Sequence, residues 1–378
     1  MTSLRVMTNA VRRYPWLVVV GLLGVGGGTP ASATVTRSTV PAIVNSDSRF
    51  VEVAGTSRSA LGAHPIAQTA CTTSITDHRQ VNKSLAAARP GTTVCMAGSG
   101  FVATDLVITR SGTRAAPLRV QGDNTRVHSV RVTADHVIVE GFNTLGGDGI
   151  DAEGTDITIR NNVVVDADLD GISCGDCTDS LIQSNTVDHA DGTGIRISGA
   201  RITLDANVVQ HSVRINADDA DGVRFFGYGH RITGNFIADI KDDGYTSTPP
   251  HTDCFQTFDN GKKMATYDVL IRGNTCTNVD HQCLIATAQE AGQAGQVGRS
   301  THISFVDNTC DIEGSQAVLV RWFPNVEVRR NTFKGSNMSN AIVVQNESTG
   351  ARITDNSVEQ DIPTFEGDPS SADGFAGP

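Results

Sequence analysis

One phrase governs this chain: two aliphatic residues at alternating positions, two further residues, then asparagine, as in Ile157-Thr-Ile159-Arg-Asn-Asn162. It returns at Asn185, Asn207, Asn235, Asn274, Asn308, Asn331 and Asn356, at intervals of 23, 22, 28, 39, 34, 23 and 25 residues. Alternating strands on a base period in the low twenties mark a parallel β-solenoid, where each repeat is one coil that buries its apolar face by stacking on its neighbours. A doubly wound sheet would need a helix between successive strands, and none is visible in these intervals. The expected fold is all-β, a right-handed parallel β-helix, with a short helix at Val81 to Ala88 capping the open edge of the first coil.

Asparagines one coil apart can share amide hydrogen bonds along the axis and so satisfy buried polar groups at a tight bend. These asparagines are read as structural, with Phe142 in the same column one coil earlier. Each coil also carries a second strand opened by a polar turn, from Asp148-Gly-Ile through Asp170, Thr193, Asp221, Asp253, Gln282 and Gln316 to Asn340-Ala-Ile. Aligning these turns places Asp151, Ser173, Arg196, Arg224, Gln256, Ile285 and Leu319 in one outward column. Two residues ahead of the turn, a further column contains Asp168, Asp191, Asp219, His251 and Asp280.

Residues 1–33 read as an export leader: Arg12 and Arg13, an apolar stretch from Leu17 to Gly28 too short to span a bilayer, and the small-residue site Ala31-Ser32-Ala33. Residues 34–70, rich in Ser, Thr, Ala and Pro, are expected to be a poorly ordered lead-in, 71–362 the β-helix and 363–378 a loose tail. The expected location is extracellular, as a secreted monomer without a membrane anchor once the leader is removed. A net charge of −11 leaves no basic footprint for nucleic acid, and a polyanion would have to meet a local cationic lane or bound metal.

Eight cysteines in an exported chain point to disulfides. Cys254 and Cys283 share a column on adjacent coils, as do Cys276 and Cys310, so those two bridges are expected, with Cys174–Cys177 as a loop staple and Cys71–Cys95.

The opening Leu85-Ala-Ala-Ala-Arg-Pro-Gly-Thr-Thr-Val-Cys-Met-Ala-Gly, followed by Thr113-Arg-Ala-Ala-Pro-Leu-Arg-Val, resembles the first coil of chondroitinase B and related alginate lyases. With the repeats, it makes most of Ala70 to Glu359 similar to the pectate-lyase-like superfamily of carbohydrate-active β-helix proteins. The resemblance implies a polysaccharide partner, and it spans lyases, hydrolases, epimerases and non-catalytic tailspike or adhesion proteins. The chain departs from the lysine-and-arginine arrangement of chondroitinase-type lyases. It also departs from polygalacturonase order, since Gly229-His230 falls between Asn216-Ala-Asp218 and Asp242-Asp243.

The stretched intervals are consecutive, between Asn207 and Asn308, so their loops should wall one region of the solenoid. There lie Asp242-Asp243-Gly-Tyr245 and Pro250-His251-Thr-Asp253-Cys-Phe-Gln256, the densest titratable cluster in the chain. The columns place Asp219 below His251 and Asp280 above it, an arrangement that would fix the imidazole as acid or base; the alternative is a surface ladder of turn-forming aspartates. The candidate catalytic residues are His251, Asp253, Tyr245, Asp243 and Asp219.

Gln256, Arg196, Arg224, Arg321, Phe226 and Phe258 are the candidate substrate-binding residues. The arginines either bind uronate carboxylates or neutralise Asp151, Asp191 and Asp221, and the two phenylalanines form a sugar platform or pack under the loops. Tyr245 is a base, a stacking ring or a loop residue without chemical duty. Asp218, Asp219, Asp221, Asp242, Asp243 and Asp253 are a possible calcium cluster without EF-hand spacing. Three functions remain open: a lyase that neutralises a uronate and removes its C5 proton with His251 or Tyr245, placed first; a glycoside hydrolase using two of Asp219, Asp243 and Asp253; and a non-catalytic glycan-binding protein.

Overall fold

In the computed structural model, which describes residues 69–377 except 218, 246–247, 289–298 and 360, the backbone enters the left-handed region just before every ladder asparagine. Asn161, Ser184, Ala206, Gly234, Gly273, Asp307, Arg330 and Asp355 all have φ between 54° and 65°. One left-handed residue between two extended stretches bends the chain sharply without a helix. Glycine enters that region without steric cost, and Gly234 and Gly273 hold it where the coils carry their longest loops.

Two further corners close each coil into three strands, for example Ile195–Ala200, Thr203–Asp205 and Val208–Gln210. We call these the first, second and third faces. Every strand pairs in parallel with its equivalent one coil on: Ile195 with Val223, Leu204 with Ile232, Val209 with Ile237. The result is one sheet of 31 strands wound as a right-handed parallel β-helix, as the repeat requires.

The lumen is the core. Ile172, Ile195, Val223, Phe255, Leu284, Val318 and Ile342 stack in one inward column and are fully buried. Each such side chain contributes on the order of 1.5–3 kcal/mol of burial. The asparagine ladder forms as expected: Asn185 Nδ2 donates to Asn207 Oδ1 at 3.0 Å, and Asn207 Nδ2 to Asn235 Oδ1 at 2.9 Å. The same oxygens accept the backbone N–H of the asparagine below, and each Nδ2 also donates to a main-chain carbonyl such as Ile182 O. Phe142, lacking the amide, still donates its backbone N–H to Asn162 Oδ1 at 3.0 Å.

The helix Val81–Ala87 buries Val81 and Leu85 at the first coil. Asn82 hooks the edge of the Asp105–Ile108 strand, donating to Asp105 O and accepting from Val107 N. Among the described residues, no helix is long and apolar enough to cross a membrane. The leader, residues 1–33, lies outside the described residues, as does the lead-in 34–70 apart from its last two.

Two expectations are corrected. The tail is not loose: Phe365–Gly367 adds a further strand on Ile342–Val344, and Phe365 stacks on Phe375 with centroids 4.6 Å apart. The solenoid therefore continues past residue 362. Of the disulfides, Cys71–Cys95 and Cys174–Cys177 form as expected, but the other four cysteines pair as Cys254–Cys276 and Cys283–Cys310. The register is right, since Cys276 pairs with Cys310 along the sheet. Neighbours on parallel strands, however, send their Cβ vectors side by side, whereas residues on opposite faces of one coil point at each other across the lumen.

Candidate functional site

The strands carrying Val223–Tyr228 and Phe255–Phe258 on the first face are flanked by loops on both edges. Residues 211–222 and 241–254 lead in from the third face, and 259–266 leads out to the second. The outward column expected from sequence is the observed one: Asp151, Ser173, Arg196, Arg224, Gln256, Ile285 and Leu319 are successive register partners.

The leading loops are held by side chains. Asp191 accepts the backbone N–H groups of Ile215 and Asn216 at 2.7 and 2.8 Å. Tyr245 OH accepts from Arg214 N at 2.7 Å, with the Arg214 guanidinium 5.2 Å from its ring centre, so this tyrosine ties one loop to the other. The trailing loop is anchored by buried Asp259, which accepts from Arg299 and, at 2.8 Å, from Ser300 Oγ. Asn260 Oδ1 accepts the N–H groups of Lys262 and Lys263, and the turn sets the Lys263 ammonium 5.5 Å over the Phe226 ring.

Between these walls the turn residues form a second polar ladder. Asp253 N donates to Asp221 Oδ1 at 3.1 Å, and Gln282 N to Asp253 Oδ1 at 2.9 Å. Both carboxyl groups are completely buried. Burial pushes Asp221 up to about 6 against the pull of the Arg224 guanidinium. Burial and the Asp221 carboxylate hold Asp253 well above the usual carboxylate range. Gln256 Nε2 lies 3.2 Å from Asp253 Oδ2, while Gln256 Oε1 is buried without a partner. Arg224 bonds Asp221 and, at 2.8 Å, Asp219, and is only 16% exposed.

The His251 imidazole is 61% exposed, and its Nδ1 is 4.0 Å from Asp253 Oδ2. Asp219 touches the backbone of His251, accepting its N–H at 3.3 Å, and turns its other oxygen to Arg224. Asp280 does not stack above His251. It follows directly on the strand Thr275–Val279, which pairs with Phe236–Ile240, and so lies over the start of the 241–254 loop. There it accepts from Lys241 Nζ at 2.6 Å and Asp242 N at 2.7 Å. Against its burial, the Lys241 ammonium holds Asp280 below its ordinary value.

The neighbour of His251 is His281, with ring centroids 5.7 Å apart. Its Nδ1 accepts from Thr252 N at 3.2 Å, and its Nε2 lies 3.7 Å from Asp242. Burial lowers the pKa of His281, the Asp242 carboxylate opposing. Burial also raises Asp242, with Asp280 adding to the effect.

The remaining candidates divide. Arg196 lies 3.6 Å from Asp170 and stays 35% exposed beside Arg224. Phe226 is buried in an edge contact with Phe258, centroids 5.0 Å apart, so it packs under the loop instead of offering a sugar platform. Arg321 belongs to a strand two coils above Phe258 and is not beside Arg224. The acids proposed for calcium do not converge: Asp218 lies outside the described residues, Asp219 and Asp221 face Arg224, and Asp253 is buried. Asp242, exposed Asp243 and Asp280 do cluster, within 4.8 Å, but Lys241 already answers Asp280. His230 is structural, accepting from Ile202 N in the core, where burial takes it down to about 4.

Sequence reasoning missed Lys263 and His281. Burial lowers the Lys263 pKa, and Arg196 and Arg224 lower it further. Nothing aligned Lys263, because the repeated phrases do not extend into the loop that carries it. His281 was one position from the aspartate column and could have been found by matching His251-Thr-Asp253 to Asp280-His-Gln282. A hollow of about 620 Å³ on the second face, lined by Tyr267, Asp268, His302, Asn325 and Arg352, lies apart from this cluster. Its histidine is already closed on Asp268 at 2.6 Å, so the walled first face is the better candidate.

No family model matches the chain, and no curated protein matches its sequence. Among solved structures, an alginate lyase from Paenibacillus sp. strain FPU-7 aligns at 12% identity with a TM-score of 0.44, over 78% of this chain and 97% of that one. A lacto-N-biosidase from Eubacterium ramulus aligns at 12% identity and TM-score 0.49, over 75% and 64% of the two chains. A surface adhesin of Streptococcus pneumoniae aligns at 12% identity and TM-score 0.46, over 77% and 87%.

Proposed function

We propose that this chain, a right-handed parallel β-helix of pectate-lyase-like architecture, is an exported polysaccharide lyase acting on a uronic-acid-containing glycan. One observation supports the reading over a hydrolase. On the walled part of the first face Asp219, Asp221 and Asp253 are buried or ion-paired, whereas Lys263, His251 and the 35% exposed Arg196, 3.6 Å from Asp170, still face outward. A glycoside hydrolase needs two carboxyl groups flanking the scissile bond. Here Asp221 and Asp253 are fully buried and Asp219 is bonded to Arg224, leaving Asp243 as the exposed acid of those considered.

β-Elimination needs a cation to neutralise the uronate, a base for the C5 proton and an acid for the departing 4-oxygen. In this reading Arg196 receives the carboxylate, with Arg224 behind it. Lys263 is the base: burial and two guanidiniums disfavour its ammonium, so the free amine forms more readily than on an ordinary lysine. His251 protonates the leaving oxygen, and the C4–O bond breaks as the C4–C5 double bond forms. Asp253 orients His251 from beneath and does not touch the sugar.

The test is a panel of uronate and neutral polysaccharides, with and without calcium chelation, read by ultraviolet absorbance of the unsaturated product. Lys263→Ala and His251→Ala should each lower turnover on the order of 10²–10⁴-fold without moving the thermal midpoint. Lys263→Arg should keep KM and lose kcat. Reducing ends without the absorbance would make the protein a hydrolase, and glycan binding with neither signal would make it a binding protein.

A further inference from the structure

A second cluster of chemistry-bearing side chains lies away from the first face, at the corner where the third face ends. Successive coils place His189, His211, Asp239 and Asn278 there, each left-handed with φ between 53° and 58°. His189 N donates to Gln210 O and His211 N to Ala238 O, so these residues occupy consecutive levels of one column. The two imidazoles have centroids 5.4 Å apart at an interplanar angle of 34°. Asp188, the last residue of its strand, has Oδ1 at 2.7 Å from His211 Nδ1 and 3.4 Å from His189 Nδ1.

We propose that Asp188, His189 and His211 form a binding site for a divalent transition-metal ion such as Zn²⁺. His189 Nδ1, His211 Nδ1 and Asp188 Oδ1 are the donors, and one ligand atom from each residue already lies within 4.8 Å of the others. Donors about 2.0–2.2 Å from a common ion stand somewhat over 3 Å from one another, so small side-chain rotations close the set. Two imidazoles with one carboxylate select a zinc-like ion over calcium or magnesium, which take oxygen donors.

The far side of His211 is equipped for the role. Its Nε2 lies 3.8 Å from Asp239 Oδ2, and Asn278 Nδ2 holds the other oxygen of that carboxylate. When Nδ1 takes the ion, the ring proton moves to Nε2 and faces Asp239, the carboxylate–histidine arrangement that orients a bound imidazole. The side chains are partly exposed, which gives the ion an entry path.

Among the described residues, the other histidine–aspartate contacts lack this set. His128 with Asp105, His136 with Asp156 and His302 with Asp268 each offer one imidazole. His251 and His281 are adjacent, but Nδ1 of His281 is occupied by Thr252 N.

Calorimetric titration of the purified, tag-free protein with ZnCl₂ should show one saturable site, and the same ion should raise the thermal midpoint. His189→Ala and His211→Ala should each weaken binding at least tenfold and abolish the midpoint shift, and Asp239→Asn should weaken it about 10–100-fold. His251→Ala and His302→Ala should bind as the parent does, and CaCl₂ should give no heat of saturation. The absence of saturable zinc binding, or binding that survives both His189→Ala and His211→Ala, overturns the assignment, as does binding lost in His251→Ala.

Discussion

Two ladders run along this β-helix, and they use the same geometry with different chemistry. At one corner each asparagine oxygen accepts the backbone N–H of the asparagine below and each amide nitrogen donates along the column, so the ladder is neutral and complete. At the opening of the first face, Asp221 and Asp253 accept backbone N–H groups in the same way, but they bring charge into a fully buried position. That charge has to be answered by Arg224 or removed by a proton. An amide ladder closes on itself, whereas a carboxylate ladder leaves an electrostatic demand that reaches the outer face, where the candidate site lies.

The comparison breaks most visibly if the amide ladder is given a charge. Asn274→Asp removes the donor to Ile232 O and Asn308 Oδ1 and adds an unanswered carboxylate. At pH 7 it should cost about 3–5 kcal/mol in denaturant unfolding, part of it recovered near pH 4 where the new acid is protonated. Asn274→Ala should cost less, about 1–3 kcal/mol. A loss that is equal at both pH values would show that charge is not what separates the ladders.

Neutralising the other ladder should go the opposite way. Asp221 has a folded pKa of about 6 against an ordinary 3.8, so its protonation favours the fold below pH 4, and that contribution is lost as pH rises to 6 and beyond. Asp253 is shifted in the same direction, so its contribution has the same sign. Asp253→Asn should therefore raise stability at pH 7 by about 1 kcal/mol and flatten the decline between pH 4 and 6. A variant less stable than the parent at pH 7 would show that the carboxylate is needed in its charged form.

The smallest effect concerns the corner itself. Ala206 holds φ 54° where Gly234 and Gly273 hold the next two levels. Ala206→Gly trades left-handed strain against chain entropy, so the unfolding free energy should change by no more than about 0.5 kcal/mol in denaturant unfolding. A larger loss would mean that the alanine methyl packs against something the backbone argument ignores.

Repetition decided what was legible in the sequence. The ladder asparagines and the Asp151 to Leu319 column could be placed because each coil repeats the measurement of its neighbour, and the strand register agrees residue by residue. Lys263 sits in a loop that carries none of the repeated phrases, so no column predicted its place over Phe226. Asp280 was misplaced because the expected column assumed coils of equal entry, whereas the 241–254 loop begins and ends at different points of the corner. The final strand Phe365–Gly367 was missed because the asparagine phrase ends at Asn356. The cysteine partners depended on which way side chains face across the lumen, a direction that register does not carry.

The crosswise bridges change what a broken chain would mean. Cys254–Cys276 ties the beginning of one coil to its own third face and so encircles the 259–266 loop, and Cys283–Cys310 does the same for the coil above. A protease that nicks the Lys263 loop opens that ring but leaves the two new ends joined through the Cys254–Cys276 bridge and held by the parallel strands below and above. A bridge along the axis, Cys254 to Cys283, would have enclosed the same loop only within a larger ring shared by two coils. The wall bearing Lys263 can therefore be cut without being shed.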